Sequence, residues 1–364
     1  MNPAHEPASG ARTRRNVQVV IIGGGQAGLA TGFYLRRAGL TPGQDFVILD
    51  AANRPGWMMP PWNDAELGYP PRDHVVDYLT RYEQRYDLNV TRSCTAHTVT
   101  PADDDPGGRL IVATDLGDFA ARAVVSATGT WDRPFVPSYP GMRHFTGHQL
   151  HAANYREPGR FAGQRVVIVG GGNSAAQILA EISTVADTTW VTTRPPRFLP
   201  DDVDGRALFA AARARIQALQ EGRDHAGVAG LGDIVMVEAV RAARDRGVLK
   251  AQPMFDRLTR DGVAWADGAH QNVDAVIWCT GFRPALRHLR HLDLRTDNGH
   301  PAVGGASGTR AISEPRLYLV GYGDWTGPAS ATLAGVGPSA RATAHAITAK
   351  PVTAQPPSRP LEGA

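Results

Sequence analysis

The chain has 364 residues, 42% of them hydrophobic and 20% charged, with a formal net charge of +3. That length exceeds one ordinary core, so two domains are expected, and the composition is that of a globular protein rather than a disordered one. The small charge, the lack of a basic stripe with interleaved aromatics and the lack of any apolar run of spanning length exclude nucleic acid and membrane as partners.

Only Lys250 and Lys350 among the 38 basic residues are lysines, an arginine bias that reads as coding composition rather than as a binding face. Cys94 and Cys279 are too far apart in sequence for a C-x-x-C dithiol. A reducing, cytoplasmic location is expected. Residues 1–16 are polar and read as a disordered N-terminus, since the apolar run that follows is too short for a signal-peptide core.

The first ordered element is the run 17–22, almost entirely β-branched and apolar, which suits a parallel strand covered on both faces. It runs into Gly23-Gly24-Gly25-Gln26-Ala27-Gly28. Gly23 permits a sharp turn, Gly25 lets a pyrophosphate approach the backbone, and Gly28 lets the next helix (26–38) pack on the strand. The N-terminus of that helix, at Gln26 and Ala27, points free N–H groups at an anion. A second strand (46–49) ends in Asp50, about twenty residues on, where a carboxylate accepts bonds from the ribose of an adenine dinucleotide.

Residues 51–69 read as irregular, and 73–86 as a helix with Val75, Val76, Leu79 and Tyr82 at helical spacing. Strands follow at 95–100, 109–114 and 118–121, the first two joined by an Asp-Pro-Gly turn and forming an antiparallel ribbon. A buried strand (123–126) ends in Ala127-Thr128-Gly129, a small end that lets the chain leave the sheet close to a cofactor. After the segment from Phe145 to Tyr155 comes a second nucleotide signal. The strand 165–169 precedes Gly170-Gly171-Gly172-Asn173-Ser174-Ala175, a helix (173–183) and a strand (188–192) ending in Thr193-Arg194. An arginine where the first unit has Asp50 pairs with a 2′-phosphate, so this site should take NADPH.

Residues 201–246 read as two helices, and short strands are expected at 247–250, 254–259 and 263–265. The buried strand 273–278 ends in Cys279-Thr280-Gly281, repeating the Ala127-Thr128-Gly129 pattern. The strand 317–320 runs into Gly321-Tyr322-Gly323-Asp324, whose acid can hold a flavin polyol. A last helix (331–347) would aim its N-terminus at the flavin pyrimidine. Residues 350–364 form a Pro-rich tail expected to be disordered. His144, His148 and His151 have metal-ligand spacing but no accompanying carboxylate or thiolate motif, and no metal is expected.

Together the two glycine-rich units, the x-T-G strand ends and the late Gly-x-Gly-Asp resemble the two-dinucleotide-binding-domain flavoproteins. The resemblance runs from about Val17 to Ile347. It implies an α/β fold with two Rossmann-like domains: an FAD domain at 17–130 and 282–349, and an NADPH domain at 131–281 inserted into it. Phe145, Gly147, His151 and Tyr155 match the F-x-G-x-x-x-H-x-x-x-[Y/F] sequence of the flavin-containing monooxygenases. Tyr155 stands where Baeyer-Villiger enzymes usually carry Trp. Finer motifs at 198–206, 232–237 and 321–327 are similar to the flavin monooxygenases of bacterial arsenic-resistance operons.

The resemblance implies that Gly23, Gly25, Gln26, Ala27, Gly28, Asp50, Thr128, Gly129 and Asp324 hold FAD. Gly170, Gly172, Asn173, Ser174, Arg194, Thr280 and Gly281 would hold NADPH. No residue is assigned as general base, because in such enzymes a C4a-hydroperoxyflavin performs the oxygenation and the protein positions it and excludes water. The Phe145–Tyr155 segment is either a packed linker or a catalytic element. The partners are O2 and a small nucleophile at an S, N, Se or As centre, and a homodimer stays open. The alternatives are an NADPH oxidase or flavin reductase without oxygen insertion, and a degenerate non-catalytic flavoprotein.

One departure stands out. Where the resembled families have a ring-covering stretch of a few tens of residues, Arg54-Pro55-Gly56-Trp57 is followed almost at once by Tyr69-Pro70-Pro71-Arg72. An oxygenating flavin needs a dry site. Unless a partner subunit covers the ring, the purified protein is therefore expected to hold well under one flavin per chain and to release peroxide as it consumes NADPH. Near-stoichiometric flavin with little peroxide per NADPH oxidised would refute this. Grafting in a longer segment should raise occupancy and lower peroxide together.

Overall fold

The computed structural model describes residues 13–56, 72–105, 107–203, 233–333 and 335–349. Its first sheet is built on β1 (Arg14–Ile22), which pairs in parallel with β2 (Phe46–Leu49) and with a long strand, β6 (Gly117–Ser126). Between β1 and β2 runs α1 (Gln26–Arg37), and α2 (Arg72–Arg85) leads to β3 (Val90–Thr91) beside β2. The ribbon of β4 (Ala96–Pro101) and β5 (Leu110–Thr114) joins antiparallel to β6.

The second sheet has the order β10-β9-β8-β14-β7, all parallel. It comprises β7 (His148–His151), β8 (Arg165–Val169), β9 (Asp187–Thr192), β10 (Ala251–Pro253) and β14 (Ala275–Trp278). Helices α3 (Asn173–Ile182) and α4 (Glu238–Asp245) accompany it. A three-stranded ribbon of β11 (Arg257–Leu258), β12 (Gly262–Ala264) and β13 (His270–Asn272) covers one side. The chain then makes the hairpin β15 (Thr296–Asp297) and β16 (His300–Pro301) and returns to the first sheet. There β17 (Val303–Gly304), β18 (Arg310–Ala311) and β19 (Leu317–Leu319) extend the order past β6, and α5 (Val336–Thr348) ends the described chain. The fold is α/β with two Rossmann-like units, the second inserted into the first.

Burial explains why the central strands are apolar throughout. Val19, Ile21, Phe46 and Ile48 face α1 and α5, whereas Val20, Ile22, Val47 and Leu49 face the β4–β5 ribbon. In the second sheet Val166 and Ile168 pack under α3 and α4, and Val167 and Val169 pack under the β11–β13 ribbon. Each unit thus has helices on one face and an antiparallel ribbon on the other, so neither face tolerates a polar residue. Each such side chain contributes about 1.5 to 3 kcal/mol relative to exposure.

Several element boundaries differ from expectation. The first strand begins at Arg14 rather than after residue 16, because Arg14, Arg15 and Asn16 pair with Asp118, Phe119 and Ala120 of β6. The pieces 118–121 and 123–126 are one strand, held along its length by β1. Residues 247–250 are not a strand; pairing with β9 starts at Ala251. The last helix starts at Val336, since residues 323–333 are taken up by turns. The segment 148–151, left unassigned in the sequence, is the edge strand β7 beside β14. Of the helices expected over 201–246, α4 is described, and residues 204–232 lie outside the described residues, as do 1–12, 57–71 and the 350–364 tail.

The tightest joint in the first unit is at Gly28, where a Cβ would overlap the carbonyl of Gly23. Gly28→Ala is expected to destabilise the fold by about 3 kcal/mol or more, as for other steric conflicts with buried backbone. The urea midpoint measures this, and an unchanged midpoint would mean that the turn opens freely.

Candidate functional site

The first glycine turn is shaped by close approach. Gly23 has φ +108°, and a Cβ there would run into the carbonyl oxygen of Ala127 at the end of β6. At Gly25, by contrast, a Cβ would meet nothing within 4 Å, so its face of the turn is open to a ligand. Asp50 sits beside this turn: Gly24 N–H donates to its Oδ2 (3.0 Å) and Ala52 N–H to its Oδ1 (2.9 Å). Arg92, at the end of the β3 segment, bonds the same Oδ2 at 2.6 Å and also pairs with Glu83. Burial pushes the Asp50 carboxyl up from its ordinary value, while the Ala52 N–H, Arg92 and the Gly24 N–H pull the other way. Arg92 is the residue that sequence reading missed. It lies 42 residues from Asp50, and no local pattern joins them.

Gln26 donates its Nε2–H to the carbonyl of Ala331 (2.5 Å), tying the start of α1 to the turns before α5. Its Oε1 is buried with no partner among the described residues. An orphaned acceptor next to an open glycine turn fits a site built for a polar ligand. Thr128 has a different task from direct contact through its side chain. Its hydroxyl donates to the Ala285 carbonyl (2.8 Å), and its N–H donates to the Tyr322 hydroxyl (3.1 Å). Gly129, at φ +62°, follows with open space around it. Asp324 is exposed at the start of a 3-10 turn, its Oδ1 accepting from Ala329 N–H (3.0 Å).

The second turn repeats the geometry. At Gly170, φ +133°, a Cβ would meet the carbonyl of Cys279, and Gly172 again has open space. The Trp190 indole N–H donates to the Gly170 carbonyl at 2.7 Å and fixes the turn to β9. Asn173 is turned away from the open face: its Nδ2–H donates to Asp233 O and its Oδ1 accepts from Val235 N–H. Ser174 follows it in the first turn of α3. A cavity of about 190 Å³ lies past the end of β9, lined by Gly171, Thr192, Thr193, Arg194, Arg197 and Asp233. Arg197 bridges to Asp233 (2.8 Å), while Arg194 is exposed and has no ion pair among the described residues. Arg197 is a second residue that sequence reading missed.

The Phe145–Tyr155 segment is held by packing and hydrogen bonds. Phe145 is buried under β14, and a Cβ on Gly147 would strike the Phe145 ring and the Asp274 carbonyl. His151 is buried; Ala153 N–H donates to its Nδ1 (3.0 Å), so the proton sits on Nε2, which reaches the Gly281 carbonyl (3.0 Å). Tyr155 is fully buried and donates to Glu181 of α3 (2.7 Å). Gly281 also accepts from Phe135 N–H, and the Thr280 hydroxyl donates to the Phe135 carbonyl. Arg283 N–H donates to Arg133 O, and Ala285 N–H to Gly129 O. The two chain crossings between the sheets therefore pair with each other. Thr280 and Gly281 belong to that junction, and His151 is pinned to it.

A larger cavity, about 810 Å³, runs along β7 and is lined by Met142, His148, Gln149, Asn154, Arg160 and Trp278 among others; neither glycine turn reaches it. Among the described residues no group of three His, Cys, Asp or Glu side chains converges on a metal position, and no helix is long and apolar enough to cross a membrane. Both cysteines are free, and burial pushes the Cys279 thiol up to about 12.

A family model described as pyridine nucleotide-disulphide oxidoreductase matches residues 58–321. A solved flavin-containing monooxygenase from Stenotrophomonas maltophilia is 46% identical, covering 92% of this chain and 98% of its own, with a TM-score of 0.77. The chain belongs to the flavin monooxygenase family. It is a flavin-dependent oxidoreductase that also uses a nicotinamide cofactor. This flavin monooxygenase is also 25% identical over 347 residues to an uncharacterized oxidoreductase, CzcO-like, of Geobacillus kaustophilus, spanning 89% of this chain and 96% of the relative. Since 89% of 364 residues is about 324, that alignment includes positions of the relative with no counterpart here. A Baeyer-Villiger monooxygenase of Streptomyces coelicolor is 31% identical over 232 residues, 57% of this chain and 43% of that one.

Two buried histidines are expected to make the flavin monooxygenase acid-sensitive. Burial holds His151 below the ordinary 6.5, partly opposed by the Gly281 carbonyl, and holds His288 down to about 4. A neutral buried imidazole gains its proton more readily when unfolded, so the stabilisation is complete above about pH 6.5 and is lost as pH falls towards 4. The melting temperature should drop across that window. His288→Gln should lower it at neutral pH and flatten the slope; an unchanged slope would exclude His288 as a source.

Proposed function

We propose that this enzyme binds FAD at the Gly23–Gly28 turn and NADPH at the Gly170–Ala175 turn, and oxygenates a small soft nucleophile at an S, N, Se or As centre. FAD would lie in the unit formed by 17–130 and 282–349, and NADPH in 131–281, with the protein acting in the cytoplasm. The observation that carries the reading is the cavity at the end of β9. Arg194 and Arg197 line it, and its one carboxylate, Asp233, is already paired to Arg197. An anion the size of a 2′-phosphate meets there a guanidinium with no ion pair among the described residues, whereas at the corresponding place in the first unit Asp50 offers a carboxylate to ribose hydroxyls.

Bound FAD supplies the oxygen chemistry, which no side chain of this chain could perform. The chain's residues do the rest. Gly25 and Gly172 admit the pyrophosphates, and the N-termini of α1 and α3 direct N–H groups at them. Asp50, held by Arg92, orients one ribose, and Asp324 is available to the flavin polyol. Oxidation without oxygen insertion remains the second reading, favoured by the short stretch between Gly56 and Tyr69 in the sequence. Anaerobic reduction by NADPH followed by mixing with O2 separates the two. A long-lived oxygen adduct spectrum with product supports oxygenation, and prompt peroxide release supports the second reading.

NADPH should reduce the flavin faster than NADH. Arg194→Ala should narrow that preference by about tenfold, the loss of roughly one charge-assisted contact. Wild-type protein that uses both nucleotides equally well would remove Arg194 from this role.

A further inference from the structure

The described core contains a buried polar chain, centred on Tyr322, that the proposed cofactor contacts do not use. Tyr322 is buried between Gly321 (φ +87°) and Gly323 (φ +96°), so the local backbone does little to fix it. Its hydroxyl lies 2.6 Å from Ser126 Oγ, 2.7 Å from Thr128 Oγ1 and 3.1 Å from Thr128 N. Ser126 Oγ is in turn 3.0 Å from His288 Nε2, and Thr128 Oγ1 is 2.8 Å from the Ala285 carbonyl.

Each hydroxyl has one proton, and this fixes the direction of the whole chain. The Ala285 carbonyl can only accept, so Thr128 donates to it. Thr128 Oγ1 must then accept from Tyr322, and Tyr322, having used its proton, accepts from Thr128 N–H and from Ser126. Ser126 accepts from His288, whose proton lies on Nε2. The Tyr322 hydroxyl thereby has its one donor and two acceptor positions filled. On its ring side Tyr322 stacks on Trp325 (centroids 5.5 Å), which stacks on His300 (4.9 Å).

We propose that Tyr322 is a positioning residue for the flavin: its hydroxyl locks the end of β6 to the Gly321–Asp324 turn and to the 285–288 segment, fixing the wall against which the cofactor packs. This rests on the reading that FAD occupies the first unit. Because Thr128 N–H is taken by Tyr322, it is Gly129 and the turn at Asp324 that the lock presents to the ligand. His288 orders the protons from the far end without touching the cofactor.

Tyr322→Phe keeps the ring stack and removes the hydroxyl, leaving the Thr128 N–H and the Ser126 proton without an acceptor. Apo-protein titrated with FAD should show a Kd raised about tenfold, the scale of leaving a buried donor unsatisfied. The visible circular dichroism of the bound flavin should change, while the NADP+ affinity of the apo-protein stays the same. A lower melting temperature with FAD affinity and flavin dichroism unchanged would overturn the proposal and leave Tyr322 a structural residue only. If Tyr322→Phe does not fold, Ser126→Ala, which removes a single partner, should raise the FAD Kd about threefold with the same dichroic change; an unchanged Kd overturns the proposal. Wild-type apo-protein that does not bind FAD at all would instead sink the cofactor assignment, before any variant is compared.

Discussion

Both halves of the molecule depend on one steric constraint, the approach of a backbone carbonyl to the first glycine of a strand-turn-helix unit. In the first sheet the Ala127 carbonyl occupies the space that a Cβ on Gly23 would need, and in the second the Cys279 carbonyl does the same to Gly170. Ala127 and Cys279 each stand just before a Thr-Gly pair, so the two strand ends answer the two glycine turns. Contact this close leaves no room for a side chain between the strands at their carboxyl ends. The crevice outside them, lined by backbone N–H groups, is where open α/β sheets bind ligands. Gly25 and Gly172 remain open on the ligand side of the turns, so each turn is crowded behind and clear in front.

The two sheets are joined by chain crossings that bond to each other, and this gives the Phe145–Tyr155 segment its meaning. Gly281 receives Phe135 N–H from one crossing and His151 Nε2 from β7, while Tyr155 reaches across to Glu181 on α3. A histidine with both nitrogens engaged and a tyrosine with no exposure are poor acids and bases for a substrate but good fixtures between units. The relative placement of the two turns, on which any transfer between their ligands depends, is therefore set by side chains outside both of them.

Electrostatics separates the two sites after the backbone has made them alike. Asp50 is balanced by Arg92, which is itself balanced by Glu83, so the first crevice presents a carboxylate with little net charge around it. At the end of β9 the acid is paired to Arg197 and a second arginine is left over. One crevice is acidic and internally balanced, and the other carries a surplus of positive charge.

The sequence by itself determined the two strand-turn-helix units, because a buried parallel strand must be apolar on both faces and a pyrophosphate turn must have glycine at set spacings. It also placed an acid, Asp50, and a base, Arg194, just past the ends of the second strands of the two units. The start of the first strand and the start of the last helix were misjudged, because partners far along the chain define their ends: Arg14 is a strand residue through Asp118, and 323–333 is a set of turns through bonds among Gly323, Thr326 and Ser330. Tertiary structure alone decided which polar groups face a ligand and which are engaged within the protein. Thr128, Asn173, Thr280 and His151 look alike in the sequence as candidate contacts, yet each has its side chain bonded to backbone from elsewhere in the fold. Arg92, Arg197 and the Tyr322 lock had no local signature, for a hydrogen bond between residues separated by 42 or 194 positions exists only once the sheets have formed.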